Sequence, residues 1–329
     1  MKYVFGPVPS RRLGQSLGID PIPMKTCNWN CVYCQLGRSS RLDDQRHVYA
    51  PPEEIVAEVL AAVAAHGSGA IDWLTFVGSG EPTLHLSLGQ MIRELRQRTQ
   101  IPVAVLTNGS LLDLPEVRRD LAAADAVLPS LDAGSEAVYR RLNRAAKEWS
   151  FERLVRGLLA FRAEYAGKLW VEVMLVQGLN DSEEALLDLA RVLHQLRPDE
   201  VHLNVPVRPP AEPWVVPPAE SRLERATEIL GQVARVVTPR APLLQLSGSP
   251  NVLETILEVI ARHPLAEDEI TNAVAQWQPA AVDQVLRQLV ECGRARSVLR
   301  GGQRFWTGAQ ARYVDESLSR CHSAPRPES

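Results

Sequence analysis

The sequence of 329 residues is long enough for about two domains, and its 45% of hydrophobic residues allows a large core. The net charge of −3 excludes a general electrostatic attraction to nucleic acid or to an anionic membrane surface. No apolar stretch reaches the roughly 20 residues that a membrane span needs, and the first residues lack the apolar core of a signal peptide. We therefore expect a cytoplasmic protein.

Segments with strand and helix patterns alternate through the first two thirds of the chain. The predicted strands cover residues 16–20, 73–77, 103–106, 126–131, 169–176 and 201–205. The predicted helices cover 51–66, 88–97, 115–123, a segment that Ser150 caps, a segment from the cap residue Asp181 to about 193, and 219–236. Strands separated by helices indicate βα units and a parallel sheet, so the predicted fold class is α/β.

The pattern changes after about residue 206. Six prolines between 205 and 218 exclude a helix there and predict a loop over the mouth of the sheet. Helices are predicted over 250–262, 266–276 and 279–293, followed by two short strands around Gly301-Gly302, an order typical of a winged helix. The predicted domains are residues 1–249, a winged helix at 250–312, and a disordered tail at 313–329.

Three of the five cysteines lie within eight residues. Cys27, Cys31 and Cys34 form the pattern C-x3-C-x2-C. Three thiolates on one short loop can hold three irons of a [4Fe-4S] cluster and leave the fourth iron without a protein ligand. An open metal position is typical of a site that performs chemistry. A disulfide framework would need paired cysteines and an oxidising compartment. A zinc site would need a fourth ligand, for which His47 is the nearest candidate.

The cysteine loop resembles that of the radical S-adenosylmethionine (SAM) superfamily. The resemblance implies a partial (β/α)6 barrel of the TIM type, with its site at the carboxyl ends of the strands. It implies that the open iron of the [4Fe-4S] cluster binds SAM. Reductive cleavage would then yield a 5′-deoxyadenosyl radical, which abstracts hydrogen from a substrate. A flavodoxin- or ferredoxin-type reductant is expected to supply the electron.

Residues after the predicted strands match positions that bind SAM in the superfamily. Gly80 and Glu81 resemble the end of its GGE motif, although Ser79 stands where the motif often has glycine. Tyr33 lies where the superfamily often has an aromatic residue beside adenine. Short polar residues that could bind the ribose or the methionyl carboxylate of SAM are Asn108, Ser130 and Asp132. Each of these positions also suits an ordinary role, as a core aromatic or a turn residue.

No general acid or base is assigned from the sequence. Five polar residues could face the barrel mouth by their strand positions: Glu81, Glu172, His202, Asn204 and Arg208. Buried polar residues are usually hydrogen-bonded parts of the core. The catalytic residues therefore stay unassigned.

The segment 5–20 contains two prolines and the pair Arg11-Arg12, which indicates an ordered arm that binds an anion or pairs with barrel carboxylates. Residues 4–210 resemble an Fe–S oxidoreductase family grouped with the wyosine-tRNA synthases. Those synthases use pyruvate, a lysine and a second Fe–S cluster with its own N-terminal cysteines. This sequence lacks such cysteines, so we do not expect the wyosine reaction itself. The remaining cysteines, to which no role is assigned, are Cys292 and Cys321.

The substrate is expected to be a macromolecule, and RNA is favoured. The hairpin of the predicted winged helix carries a basic patch that could contact phosphates, although acidic residues nearby partly offset it. The patch consists of Arg294, Arg296, Arg300 and Arg304. A protein or peptide substrate is the alternative, and a packing module is a third role for this domain. An Fe–S sensor that binds DNA would not need the SAM motifs. We expect a chain cut after about residue 249 to keep its cluster and its uncoupled cleavage of SAM, but to lose turnover of its substrate.

Overall fold

The computed structural model describes residues 2–10, 12–39, 41–67, 69–237 and 251–314. Up to residue 237 the described strands are β1 (Val4–Ser10), β2 (Gly14–Ile19), β3 (Trp73–Phe76), β4 (Val103–Thr107), β5 (Ala126–Pro129), β6 (Lys168–Met174), β7 (Glu200–Asn204) and β8 (Ala234–Val236). The helices are α1 (Pro52–His66), α2 (Leu88–Arg98), α3 (Pro115–Leu121), α4 (Glu136–Leu142), α5 (Phe151–Glu164), α6 (Glu183–Leu196) and α7 (Glu220–Leu230). No helix of the described ranges is both long and apolar enough to cross a bilayer.

The eight strands form one sheet in chain order. β1 and β2 are antiparallel, with Val4 opposite Ile19, and β2 to β8 are parallel. At least one helix lies between each parallel strand and the next, as parallel connections require. The predicted α/β fold with a mostly parallel sheet is confirmed. β1 was not predicted as a strand, because Pro7 and Pro9 argue against one, but an edge strand tolerates proline.

The two faces of the sheet carry different cores. On the outer face, strand residues such as Val105, Val127 and Val171 pack against the helices. On the inner face, strand residues pack on one another, and the ring of Trp73 on β3 lies 5.8 Å from that of Trp170 on β6. Contact between strands three places apart means that the sheet curls around this inner cluster, as in a partial barrel.

Some element boundaries differ from the prediction for physical reasons. The helix predicted over 219–236 is shorter, because Gly231 adopts a positive φ of 80° after α7 and the chain then enters β8. The N-cap of α6 is Ser182, whose hydroxyl accepts an N–H of the first turn, whereas Asp181 accepts from the preceding loop. The short helix α4 was not predicted.

Residues 251–314 form a second group of elements: α8 (Val252–Ile260), β9 (Leu265–Ala266), α9 (Glu267–Trp277), α10 (Val282–Glu291), β10 (Ala295–Arg300) and β11 (Gln303–Gly308). β10 and β11 form the predicted hairpin around Gly301-Gly302, and β9 pairs with β11. A separate core that includes Ile256, Ile270 and Trp306 holds these elements together. The predicted boundary at 249–250 and the tail from 315 onward, with Cys321, lie outside the described residues.

Candidate active site

The three cysteines of the pattern lie on one loop between β2 and α1, and all three are half-buried. The rest of the barrel holds this loop in place. The Asn30 N–H donates to the carbonyl of Asn143, beyond α4, at 3.1 Å. The buried ring of Trp29 packs edge-on against Tyr139 of α4. The thiols are therefore presented from an anchored segment.

Each cysteine sulfur has a nitrogen donor beside it. The pairs, with nitrogen-to-sulfur distances, are Asn108 and Cys27 (3.7 Å), Asn143 and Cys31 (3.8 Å), and Lys25 and Cys34 (3.1 Å). N–H groups beside a thiolate sulfur stabilise its negative charge and help to set the potential of an Fe–S cluster. The donor set therefore suits three thiolates bound to iron.

Two of these thiols stay protonated until a metal cation binds. Burial raises the pKa of Cys27 to about 12, with the nearby Glu81 adding to the effect, and burial raises the pKa of Cys31 well above its usual value. Buried thiols of this kind ionise when a metal cation replaces the proton. Within the described ranges, no group of three or more His, Cys, Asp or Glu side chains could hold a single metal ion. The ligands of a [4Fe-4S] cluster bind separate irons and need not share one point.

The turn after β3 packs closely against the chain that precedes the cysteines. A Cβ on Gly78 would lie 2.1 Å from a carboxylate oxygen of Asp20, and a Cβ on Gly80 would lie 2.0 Å from the carbonyl oxygen of Thr26. Both glycines are required by this close approach. Asp20 accepts from the N–H and the hydroxyl of Ser79 at 3.1 and 2.7 Å, so the serine that departs from the GGE pattern has a defined partner.

Glu81 is buried, and its carboxylate accepts four hydrogen bonds from protein groups. Oε1 accepts from the N–H (3.0 Å) and hydroxyl (2.6 Å) of Thr83 and from the hydroxyl of Thr107 (2.6 Å). Oε2 accepts from the Asn108 N–H at 2.7 Å. Burial raises the pKa of Glu81, against the effect of these donors. The carboxylate joins the ends of β3 and β4, and Oε2 keeps a lone pair for a further donor.

Asn108 and Ser130 stand at the carboxyl ends of neighbouring strands, as predicted. The Asn108 amide donates to Asn28 Oδ1 at 2.8 Å, and its own oxygen accepts from the Ser110 hydroxyl at 2.6 Å. Ser130 is half-buried and forms a backbone bridge with Glu172 of β6. Asn108 thus links the end of β4 to the cysteine loop, while contact of either residue with SAM stays a prediction.

Tyr33 and Asp132 are joined to each other. The Tyr33 hydroxyl donates to Asp132 Oδ2 at 2.6 Å, and the same buried carboxylate accepts from the Asn143 amide and the Met174 N–H, both at 2.7 Å. Burial raises the pKa of Asp132 to about 6. Three protein donors contact this carboxylate, so Asp132 holds Tyr33 and β6 in place, and its contact with SAM stays a prediction. Tyr33 also lines a neighbouring cavity.

This cavity, of about 310 Å³, lies against the inner face of the sheet. Arg12, from the turn between β1 and β2, donates to Asn204 Oδ1 of β7 at 3.2 Å and pairs with Glu172 of β6. The Nε of Arg12 is buried without a hydrogen-bond partner in the part of the chain that the structure describes. The N-terminal arm therefore pairs with a barrel carboxylate, one of its two predicted roles, and keeps one donor at the cavity. Arg11 lies outside the described residues.

Only some of the polar residues predicted to face the barrel mouth do so. Those that line the cavity are Glu172, Asn204 and Arg208. His202 is instead fully buried, with its ring 5.8 Å from that of Trp170 and hydrogen-bonded to Glu200 at 2.8 Å. Burial lowers the pKa of His202 and favours its neutral form. The proline-rich loop also lines the cavity, as predicted, through Val205, Pro206 and Val207.

The C-terminal group of elements forms one wall of the cavity. Its lining residues are Val259, Arg262, His263, Leu265 and Glu269. Arg262 Nε donates at 2.8 Å to Asp20, the carboxylate that holds Ser79. The Tyr313 hydroxyl donates to the Gln35 carbonyl at 2.5 Å, which joins the end of the described C-terminal segment to the chain just after Cys34. Truncation after residue 249 would therefore remove contacts that support the site.

The four arginines of the predicted basic patch all contact protein groups. Their partners are Glu254 for Arg294 (2.6 Å), the Tyr313 ring for Arg296 (5.2 Å), the Pro213 and Val215 carbonyls for Arg300, and Glu267 for Arg304 (3.4 Å). Arg300 joins the hairpin to the proline-rich loop and has a structural role. The Arg294 and Arg304 pairs are half exposed, and exposed ion pairs contribute about 0–1 kcal/mol each, so a phosphate can compete with them.

Sequence reasoning missed several residues that build the site. These are Lys25, Asn28, Asn143 and Arg262. Lys25 offered a signal, because it is one of four lysines in the chain and lies two residues before a cysteine. Asn143 and Arg262 offered none, since they lie 112 and 242 residues from the partners that they contact.

The radical SAM superfamily matches residues 22–190, about half of the chain. A protein named GTPase Obg from Brachyspira hyodysenteriae is 36% identical over 304 residues, which are 92% of this chain and 44% of that protein. The chain thus spans less than half the length of this relative. A UPF0026 protein from Methanocaldococcus jannaschii is 37% identical over 279 residues, which are 82% of this chain and 85% of that protein.

More distant similarities agree with this match. A probable dual-specificity RNA methyltransferase RlmN from Acaryochloris marina is 28% identical over 204 residues, which are 60% of this chain and 55% of that protein. The crystal structure of a radical SAM methyltransferase from Sphaerobacter thermophilus matches 67% of this chain and 65% of that chain, with a TM-score of 0.53 and 22% identity. At this identity the match shows a shared fold alone.

The matched residues include the cysteine loop, the turn after β3 and the ends of β4 and β5. Enzymes of the matched superfamily use a [4Fe-4S] cluster and SAM, so the predicted superfamily and cofactors are confirmed. The chain therefore belongs to the radical SAM superfamily and is an enzyme that uses a [4Fe-4S] cluster and SAM.

Proposed function

We propose that Cys27, Cys31 and Cys34 hold the cluster and that the enzyme modifies RNA by hydrogen abstraction. One observation carries the cluster assignment: three half-buried thiols on one anchored loop, each beside a nitrogen donor. A reduced cluster held by these residues would supply the one electron that cleaves SAM into methionine and a 5′-deoxyadenosyl radical. A flavodoxin- or ferredoxin-type protein is the proposed electron donor.

The residues proposed to hold SAM surround this loop. Gly80 lets the turn approach the loop closely, and Glu81 presents one remaining lone pair of Oε2 to the amino group of SAM. Asn108 and Ser130 present polar groups at the strand ends for the ribose and carboxylate. The ring of Tyr33 borders adenine, and Asp132 orients that ring through the 2.6 Å bond to its hydroxyl.

The substrate group is proposed to enter the cavity beside Tyr33. A volume of about 310 Å³ suits one base or one side chain and not a folded macromolecule. Enzymes that act on a base in RNA or DNA commonly take it out of the stack into such a pocket. Arg12 Nε, Glu172 and Asn204 offer donors and acceptors there. RNA is favoured over a peptide because one relative of this chain is named an RNA methyltransferase.

We further propose a barrel domain at 1–249, a winged helix at 250–312 and a tail beyond. Three helices followed by a hairpin, with a core of their own, support the winged helix. Its Arg262, His263 and Glu269 line the cavity, which supports a role for this domain in presenting a substrate to the site.

Formation of 5′-deoxyadenosine tests the proposed chemistry. We expect anaerobically reconstituted protein to produce it from SAM in the presence of dithionite, as measured by chromatography and mass spectrometry. Protein that carries a full cluster and yields no 5′-deoxyadenosine with any reductant would contradict the proposal and would favour a sensor that binds DNA. Anaerobic cross-linking in cells, followed by identification of the bound RNA or protein, would then distinguish the two substrate classes.

Exchanging Arg296 and Arg304 for alanine together should weaken RNA binding. Both side chains belong to the hairpin of the proposed winged helix, and their present contacts are a ring and a weak exposed pair. Each lost single-strand phosphate contact should reduce the slope of log K against log salt by about 0.7. Binding is measured by fluorescence anisotropy over a series of salt concentrations.

Arg93→Ala with Arg222→Ala is the matched control, because these exposed arginines lie on α2 and α7, outside the hairpin. Arg300 is left unchanged because it holds the proline-rich loop. The peptide alternative would be favoured by two results together. The salt slope would be equal in the wild type and the hairpin variant, and RNA would not displace a bound peptide.

A further inference from the structure

Lys25 is a cation placed directly beside one cysteine of the loop. Its Nζ donates to Cys34 Sγ at 3.1 Å and to the Gly37 carbonyl at 2.7 Å. The other two sulfurs face neutral amides, those of Asn108 and Asn143. The three donors therefore differ in charge, and the charged one is on Cys34 alone.

Backbone hydrogen bonds hold the chain on both sides of the contact between Lys25 and Cys34. The Lys25 N–H donates to the Ser79 carbonyl at 2.6 Å. Lys25 also adopts a φ of 62°, which is unusual for a residue other than glycine. On the far side, the Arg38 N–H donates to the Arg312 carbonyl at 2.7 Å, so the C-terminal segment holds the chain after Cys34. A strained conformation held by several contacts indicates that the position of the ammonium matters.

The presence of a lysine here, in a chain that has few lysines, also indicates that this ammonium matters. Lysine plus arginine number 36, and only four of these are lysines. A lysine carries a compact point charge on a flexible stem, whereas arginine spreads its charge over a planar fork. A single sulfur and a single carbonyl oxygen, both within hydrogen-bond distance of one nitrogen, are suited to the compact charge.

We propose that Lys25 acts through Cys34 as a positioning residue that raises the reduction potential of the cluster. This inference rests on the proposed ligation by Cys34. Reduction adds one negative charge to a cluster that three thiolates already make electron-rich. A neighbouring positive charge favours the reduced state, and hydrogen bonds to the sulfurs act in the same sense. Lys25 thereby eases transfer of the electron from the protein reductant.

Lys25→Met tests the inference, since it keeps the length of the side chain and removes both the charge and the donor. We expect the ratio of reduced to oxidised cluster at a fixed applied potential to fall about tenfold, which corresponds to about 59 mV for a one-electron couple. The ratio is measured by electron paramagnetic resonance in an anaerobic redox titration without SAM, with iron and sulfide content determined on the same samples. Lys25→Arg keeps the charge but spreads it over a planar fork, so it should restore the ratio only in part. Lys147→Met, a change at an exposed lysine after α4, should leave the ratio unchanged.

An unchanged potential in a Lys25→Met protein with full iron content would overturn the inference and leave the proposed function intact. If Lys25→Met loses iron, Lys25→Gln replaces it, because glutamine can still donate to the Gly37 carbonyl without carrying charge. Its potential should then fall in the same way. Loss of iron in the Met, Gln and Arg variants alike would show that Lys25 is needed to keep the cysteine loop folded, and it would also overturn the inference. Wild-type protein without a cluster would contradict the proposed function itself.

Discussion

Replacing Cys27, Cys31 or Cys34 by alanine is expected to abolish cluster binding. In the proposed site each thiolate holds one of three irons, so two remaining cysteines would leave two irons without a protein ligand. Iron and acid-labile sulfide, measured after anaerobic reconstitution, should fall from one cluster per chain to nearly none. The absorption of the oxidised cluster in the visible range should be lost in parallel.

Cys292→Ala is the matched control for these variants. Cys292 is also half-buried, but it lies after α10, where its thiol contacts the Leu289 carbonyl. Its replacement, and that of Cys321, should leave the iron content unchanged. Iron sufficient for two clusters per chain, or loss of iron on changing Cys292, would show that the ligand assignment is incomplete.

Glu81→Ala should lower both the stability of the fold and the affinity for SAM. The change leaves four donors without their acceptor in a buried site: the N–H and hydroxyl of Thr83, the Thr107 hydroxyl and the Asn108 N–H. A buried donor without a partner costs about 1–3 kcal/mol, so the free energy of unfolding should fall by at least about 4 kcal/mol in total. Chemical denaturation under anaerobic conditions measures this loss, and calorimetric titration measures SAM binding.

Two further variants distinguish between two roles of Glu81, which are joining β3 to β4 and contacting SAM directly. Glu184→Ala, an exposed glutamate on α6, should change neither quantity. Glu81→Gln keeps the size of the side chain and an acceptor for the threonine hydroxyls. If Glu81→Gln retains most of the stability while SAM affinity falls strongly, Oε2 contacts the amino group of SAM directly. Unchanged affinity in Glu81→Gln would restrict Glu81 to joining β3 and β4.

The polar residues at the strand ends show what a local sequence pattern can predict and what it cannot. Asn108, Ser130 and Asp132 share a position after a strand, and the local pattern allows each of them the same two roles, contact with SAM or a place in a turn. In the folded chain three protein donors already occupy the Asp132 carboxylate, whereas Ser130 shows only backbone pairing with β6. The difference arises from Tyr33, Asn143 and β6, which approach Asp132 only when the sheet has formed.

The sequence by itself determined the cysteine loop, the α/β order and the superfamily. These features are local, because ligand spacing belongs to one loop and hydrophobic periodicity to one helix or strand. The tertiary structure alone decided that Arg12 reaches β6 and β7 inside the curled sheet, and that Arg262 braces Asp20 from the C-terminal segment. It also decided that Arg300 holds a loop instead of facing a substrate. Such contacts join residues far apart in the chain, so they depend on how the sheet curls and where the last helices pack.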